Sequence, residues 1–188
     1  MTASDYGIHP FLKEKLNHVK CVLMDVDGVW TDGGMYFSNT DEYKKFHVHD
    51  GMGISMLHLG GIRTGVITGK KSGIVSNRAE QLRISYVYQG NDDKITQLED
   101  LLQKTEYTDK ELCYVGDDLL DLPILNRVGL AVAVANACEE VKMASDVVTD
   151  KSGGNGAIRE LAELILKAQG KWQMVLDLVA NPETKKVQ

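Results

Sequence analysis

The sequence predicts an α/β fold: a doubly wound parallel sheet, Rossmann-like, with one inserted β-hairpin and no separate cap domain. Short apolar, β-rich runs recur along the chain, and amphipathic stretches of helical period separate them. Runs without polar alternation are buried on both faces, as parallel strands are. Strand–helix alternation then implies right-handed crossovers. The length, 188 residues with 43% hydrophobic and 26% charged, suits a single domain over 1–188 better than two independent ones.

The first strand is VKCVLM (19–24), which runs straight into Asp25 and Asp27. The segment 34–50, GMYFSNTDEYKKFHVHD, reads as two strands about a turn at Ser38–Asp41. A helix over 51–60 leads to the second sheet strand, IRTGVIT (62–68), and a helix over 72–83 to SYVYQ (85–89). A helix at 92–104 precedes ELCYVG (111–116), and one at 118–127 precedes LAVAV (130–134). A helix at 137–144, the strand DVVT (146–149) and a longer helix at 156–169 complete the pattern. Ile158, Leu161, Leu164, Ile165 and Ala168 give that last helix an ordinary core face. Trp172, Met174, Val175, Leu176 and Leu178 extend the apolar pattern, suggesting contact with another subunit, and the polar tail (180–188) reads as mobile.

A net charge of −6 argues against a nucleic-acid or anionic-membrane binder. Cys21, Cys113 and Cys138 lack CxxC spacing, which disfavours disulfides and zinc and fits a reducing cytoplasm. No apolar run approaches the length of a membrane span.

Ligands of open α/β sheets bind beyond the carboxyl ends of the strands. Asp25 and Asp27 follow the first strand; Thr68, Gly69 and Lys70 follow the second; Lys94 lies just past the third; Asp117, Asp118 and Asp121 follow the fourth. Two carboxylates one residue apart repel unless a cation or a proton intervenes. Asp25 and Asp117 could share a Mg²⁺, with the backbone carbonyl of Asp27 as a further ligand. A free oxygen of Asp25 could attack phosphorus, and Asp27 could protonate the leaving oxygen. Thr68 and Lys94 would bind the non-bridging phosphoryl oxygens.

DVDGVWTDG, VITGKK, NDDK and YVGDDLLD, in this order and on these elements, resemble the motifs of the haloacid dehalogenase superfamily of phosphatases. FHVHDGMGI, YQG, GGNGAIRE and AQGK extend the resemblance to its small cap-less branch. The spacing agrees, since Asp27 to Thr68 leaves room for only a hairpin and one helix. The resemblance implies a Mg²⁺-dependent phosphatase of a sugar-acid phosphate: 3-deoxy-D-manno-octulosonate (KDO) 8-phosphate, cleaved in lipopolysaccharide precursor synthesis. A nine-carbon keto-deoxy sugar acid 9-phosphate is the alternative substrate. The branch also implies a homotetramer built through the hairpins, and places His47, Val48, His49, Asp50, Gly51, Lys70, Arg78 and Lys94 at the substrate. His49 and Lys70 stand where the branch has arginine; lysine keeps the charge without the bidentate fork.

Other readings compete at several positions. Asp118 is a possible further metal ligand, and Asp118 or Asp121 could simply favour a helix start. Asp32 before Gly33 reads as a turn residue, and Lys71 as a surface charge. His47 and His49 alternate as on a strand face but lack a third ligand for a metal. GGNG (153–156) lacks the Lys-Ser/Thr of a phosphate loop and suits a flexible lid or a turn. A non-catalytic, Mg²⁺-binding receiver-like module would explain the acidic cluster but has no use for Asp27. A DxD glycosyltransferase has no use for Lys94 and GDD where they stand.

Overall fold

A computed structural model describes residues 7–37 and 42–181. Helix α1 (Pro10–His18) leads into β1 (Cys21–Met24), followed by a hairpin of β2 (Tyr36–Phe37) and β3 (Glu42–Tyr43). Then come α2 (Val48–Leu59), β4 (Arg63–Thr68), α3 (Gly73–Gln81), β5 (Tyr86–Gln89) and α4 (Lys94–Lys104). The remainder is β6 (Leu112–Gly116), α5 (Leu122–Leu125), β7 (Leu130–Ala133), α6 (Glu139–Met143), β8 (Val147–Val148), α7 (Ala157–Ala168) and α8 (Trp172–Ala180).

Six strands form one sheet in the order β5-β4-β1-β6-β7-β8, every pair parallel. The chain builds outward from β1 to β5, then returns to β6 on β1's other side. The order therefore reverses at β1, and the crevice at such a switch point is where open sheets bind ligands. β1 and β7 are buried along their whole length, as continuous apolar runs require. Trp30 and Tyr114 are the bulkiest wholly buried side chains.

All six expected sheet strands are present, and no separate cap stands among the described residues. One helix, α1, lies outside the expected pattern, and another, α8, takes up the apolar stretch that continues past 168. α1 starts at Pro10, where proline's missing N–H costs nothing, and the His9 ring accepts from the Phe11 N–H. α8 packs on the chain itself through Val175, which is fully buried, and Lys167 Nζ lies 4.9 Å from the Trp172 ring centre. The stretch at 118–127 is a tight turn, Leu119–Asp121, followed by the short α5.

The hairpin is shorter than expected. Its second strand ends at Tyr43, Phe46 makes one bridge to Thr31, and α2 has begun by Val48. Its expected turn at Ser38–Asp41 and the tail beyond Asn181 lie outside the described residues. α2 and α7 pack closely: a Cβ on Gly53 would stand 2.8 Å from the Arg159 Cα.

Candidate active site

The functional turn grows directly out of β1. Asp25 donates its backbone N–H to the Val115 carbonyl (3.0 Å), so the strand's register with β6 carries through to this residue. Its carboxylate then caps the next turn by accepting from the Val26 N–H at 2.7 Å. That turn is wide, closed by the Thr31 N–H on the Val26 carbonyl five residues back. Inside it Asp27 leaves helical geometry (φ −78°, ψ 113°), and Gly28 has φ +92°. Position 28 favours glycine, because its φ strains any other residue and a Cβ there would lie 2.0 Å from Asp117 Oδ2 unless that carboxylate moved.

Asp25, Asp27, Thr68, Lys70, Lys94, Asp117, Asp118 and Asp121 all line one cavity of about 220 Å³, together with Gly69, Asp92 and Leu120. Thr68, the last residue of β4, is 4% exposed. Lys94, first residue of α4, is 5% exposed. Its Nζ lies 3.0 Å from Asp25 Oδ2 and 2.6 Å from Asp121 Oδ1. The two carboxylates hold the ammonium above its ordinary pKa although burial pulls it down.

Carboxylate oxygens of Asp25, Asp117 and Asp121 lie within 4.8 Å of one another. Their hydrogen bonds separate them into two kinds. Asp121 is saturated: Oδ1 accepts from Lys94 and from the Tyr114 hydroxyl (2.7 Å), and Oδ2 from the backbone N–H groups of Asp117 (2.9 Å) and Asp118 (3.3 Å). Four donors fill the lone-pair sites of a carboxylate, so Asp121 orients its neighbours. Asp117 Oδ1, by contrast, is buried without any hydrogen-bond partner.

With all three carboxylates ionised and one ammonium beside them, two negative charges remain, which one divalent cation would balance. Burial lifts Asp25 to about 6 and, with help from Asp25 and Asp121, Asp117 to about 7. An orphaned buried oxygen and an all-oxygen donor set fit Mg²⁺.

The structure places several of the other expected residues away from this cavity or gives them other contacts. Asp50 is wholly buried and caps α7: Oδ2 accepts from the Gly156 N–H (3.1 Å) and Oδ1 from the Arg159 N–H (3.0 Å). Both of its oxygens are taken up by these backbone donors. His47, Val48, His49 and Gly51 do not line the cavity either. His47 and His49 share no strand face, because the His47 ring accepts from the His49 N–H (3.2 Å) and starts α2. Gly51 instead makes room for Arg78, whose guanidinium lies 5.9 Å from the Phe46 ring centre and outside the cavity wall. Asp118 does line the cavity, yet its Oδ1 caps the following turn at the Leu119 N–H. The GGNG segment is no lid. Gly153 and Gly154 are buried against the Gly28–Asp32 turn, and the Asn136 side chain bonds both the Gly28 carbonyl (3.0 Å) and the Gly153 N–H (2.6 Å).

Sequence reasoning passed over Lys44 and Tyr114. Lys44 Nζ lies 2.5 Å from Asp27 Oδ1 and 3.2 Å from Glu42 Oε1, with its side chain only 2% exposed. Those ion pairs outweigh the burial that would lower its pKa, and hold it above the ordinary value. Glu42 and Lys44 are two residues apart beside β3, but nothing local marks the pair as inward-facing.

The geometry agrees with known proteins. The haloacid dehalogenase-like hydrolase family matches residues 68–161. A 3-deoxy-D-manno-octulosonate 8-phosphate phosphatase of Salmonella typhimurium is 41% identical over 171 residues, 90% of this chain and 91% of its own length. The chain belongs to the haloacid dehalogenase-like hydrolases. Within that family its fold matches the Moraxella catarrhalis KDO 8-phosphate phosphatase, solved with magnesium, phosphate and KDO. The TM-score is 0.87 at 41% identity, covering 89% of this chain and 97% of that one. The cobalt-bound Haemophilus influenzae phosphatase of the same name gives 0.82 at 41% identity, over 85% and 94%.

Proposed function

We propose that this protein is a Mg²⁺-dependent phosphatase that hydrolyses KDO 8-phosphate to KDO and inorganic phosphate in lipopolysaccharide precursor synthesis. The observation that carries the reading is the cavity at the β1 switch point. There Asp117 Oδ1 lacks a partner beside Asp25, and Lys94 and Thr68 line the same cavity. The named relatives supply the substrate class. Asp25, Asp117 and the Asp27 backbone carbonyl hold the Mg²⁺, which supplies charge neutralisation for the two carboxylates and the phosphoryl group.

In the first step an Asp25 oxygen forms a bond to phosphorus, and the bond from phosphorus to the sugar oxygen breaks. Asp27 gives its proton to that departing oxygen. Lys94 and Thr68 bind the non-bridging oxygens as charge spreads over them. In the second step water attacks the aspartyl phosphate, Asp27 takes the water's proton, and the carboxylate of Asp25 leaves. Lys70, 3.8 Å from Asp27 Oδ2 and half exposed, stands where it can meet the sugar acid's own carboxylate.

Hairpin-mediated assembly into a homotetramer belongs to the same reading. Tyr36, Phe37 and Tyr43 on the hairpin and Val48 at the start of α2 are all more than half exposed, an apolar surface suited to a second copy. Light scattering tests it. No helix among the described residues is long and apolar enough to cross a membrane, and the three free cysteines suit a reducing cytoplasm.

The deciding experiment is phosphate release from KDO 8-phosphate and from a nine-carbon keto-deoxy sugar acid 9-phosphate, in Mg²⁺ and in EDTA. Mg²⁺-dependent turnover that favours the eight-carbon ester and vanishes in Asp25→Asn is expected. Preference for the nine-carbon ester overturns the substrate, and near-normal turnover by Asp25→Asn overturns the covalent route.

A further inference from the structure

A lysine whose side chain is 2% exposed is uncommon on a short surface hairpin, because an ammonium leaves water only when it is paired. Lys44 is paired twice, with Asp27 Oδ1 at 2.5 Å and with Glu42 Oε1 at 3.2 Å. Glu42 is anchored in turn: the Ser72 hydroxyl, in the loop after β4, donates to its Oε2 at 3.3 Å. The base of the hairpin is pinned on the other side by the Thr31–Phe46 bridge and by Phe46 packed edge-on to Trp30, ring centres 4.8 Å apart. Lys44 therefore hangs from a braced segment and reaches back to the turn that carries Asp27.

The two oxygens of Asp27 are treated differently. Oδ1 is tied to Lys44, whereas Lys70 stands 3.8 Å from Oδ2, beyond hydrogen-bond reach. From this geometry we infer that Lys44 is a positioning residue for the general acid–base step. It clamps Asp27 through Oδ1 and leaves Oδ2 as the oxygen that gives and takes the proton. The inference rests on the phosphatase reading, with Asp27 as proton carrier, and makes the hairpin part of the machinery as well as an assembly surface. Lys44 enters no bond change: the proton passes from Asp27 Oδ2 to the sugar oxygen, and later from water back to Oδ2.

The test uses the full chain with Lys44→Met, which keeps the length and apolar stem but removes the charge, and Lys44→Arg. Both are assayed in Mg²⁺ on KDO 8-phosphate, whose alkoxide leaving group needs a proton. They are also assayed on p-nitrophenyl phosphate, whose leaving group departs as a stable anion. For Lys44→Met the expected result is a kcat loss of about 10²-fold on the sugar phosphate with KM within about threefold. The rapid first release of p-nitrophenol should stay within about tenfold of the wild-type rate, ahead of a slowed steady state. Lys44→Arg should recover a substantial part of kcat.

A raised KM with kcat kept would make Lys44 a direct substrate contact. Equal losses in both release rates would make it merely structural, and a wild-type profile would give it no role; each overturns the inference while phosphatase activity stands. Wild-type protein that releases phosphate from neither ester fails the phosphatase reading itself. Should Lys44→Met fail to fold, Glu42→Gln keeps the lysine and removes half its anchor. It is expected to show the same leaving-group selectivity at smaller amplitude, and uniform loss there overturns the inference as well.

Discussion

Gly28→Ala separates the fold's need for this glycine from the site's need for it. At φ +92° an alanine is strained by about 1–2 kcal/mol. In a chain of this length that lowers Tm by about 2–8 °C. The second effect is local to the site. The new Cβ would start 2.0 Å from Asp117 Oδ2, and ordinary contact begins near 3.4 Å, so the carboxylate must retreat by about 1.4 Å. A displacement of that size at a reacting centre costs about 10²-fold in kcat/KM. The carboxylate that moves is also the one whose other oxygen is buried without a partner, so Mg²⁺ affinity should fall at least about tenfold. Calorimetric titration with Mg²⁺ reads the affinity, and thermal melts in EDTA read the strain. An alanine variant that melts several degrees lower yet binds Mg²⁺ with wild-type affinity would refute Asp117 as a ligand.

Lys94→Met leaves Asp25 and Asp121 without their buried cation and is expected to cost about 3–5 kcal/mol in EDTA near neutral pH, read by urea unfolding. The deficit should shrink at pH 5, where Asp25, with its pKa near 6, takes up a proton; a loss below about 1 kcal/mol would show the ammonium to be solvated. In the metal-free protein Asp25 and Asp117 titrate at about 6 and 7, above the unfolded value near 4. The folded state then holds more protons, so their contribution to stability is full below about pH 4 and declines as pH rises through 6 and 7. The rise in Tm on adding Mg²⁺ should accordingly grow from pH 5 to pH 8, and a rise independent of pH would contradict the linkage. Asp50→Ala removes both acceptors at the start of α7 and should cost about 1–3 kcal/mol while KM stays within about twofold; a raised KM at unchanged stability would return Asp50 to the substrate.

The sheet was legible because burial on both faces leaves a local record in its central strands, and the edge strands β5 and β8, only partly buried, keep a β-rich apolar composition. Each strand from VKCVLM to DVVT is a short β-rich run, and the crossovers carry helical period. α1 left no such record, since it has a single wholly buried residue, Leu16, and the apolar pattern at 172–178 marked α8 without its boundaries. The end of the hairpin was misread for a different reason. HVHD alternates as a strand does, but the His47 ring captures the His49 N–H and turns the backbone into α2. A side chain that competes for local backbone donors overrides periodicity.

The site was legible to the extent that chain position fixes geometry. Asp25, Thr68, Lys94 and Asp117 each sit at or just past a strand end, and parallel register brings those ends together whatever the loops do. Asp118 and Asp121 show where that logic stops. Both are aspartates in one tight turn, and composition cannot say which faces inward. The turn decides: Asp118 spends an oxygen on the Leu119 N–H at its exposed start, while Asp121, three residues on and fully buried, gathers Lys94, Tyr114 and two backbone donors. A carboxylate with four donors has nothing left for a metal or a phosphoryl group, and one with a bare buried oxygen is incomplete without them. By that criterion Asp117 belongs to the chemistry and Asp121 to its support. Lys44 belongs with Asp121, Lys44 by donating to a neighbour's carboxylate and Asp121 by accepting from a neighbour's ammonium. Partners of this kind come from distant segments, with 17 residues separating Lys44 from Asp27 and 27 separating Lys94 from Asp121, and only the folded chain assembles them.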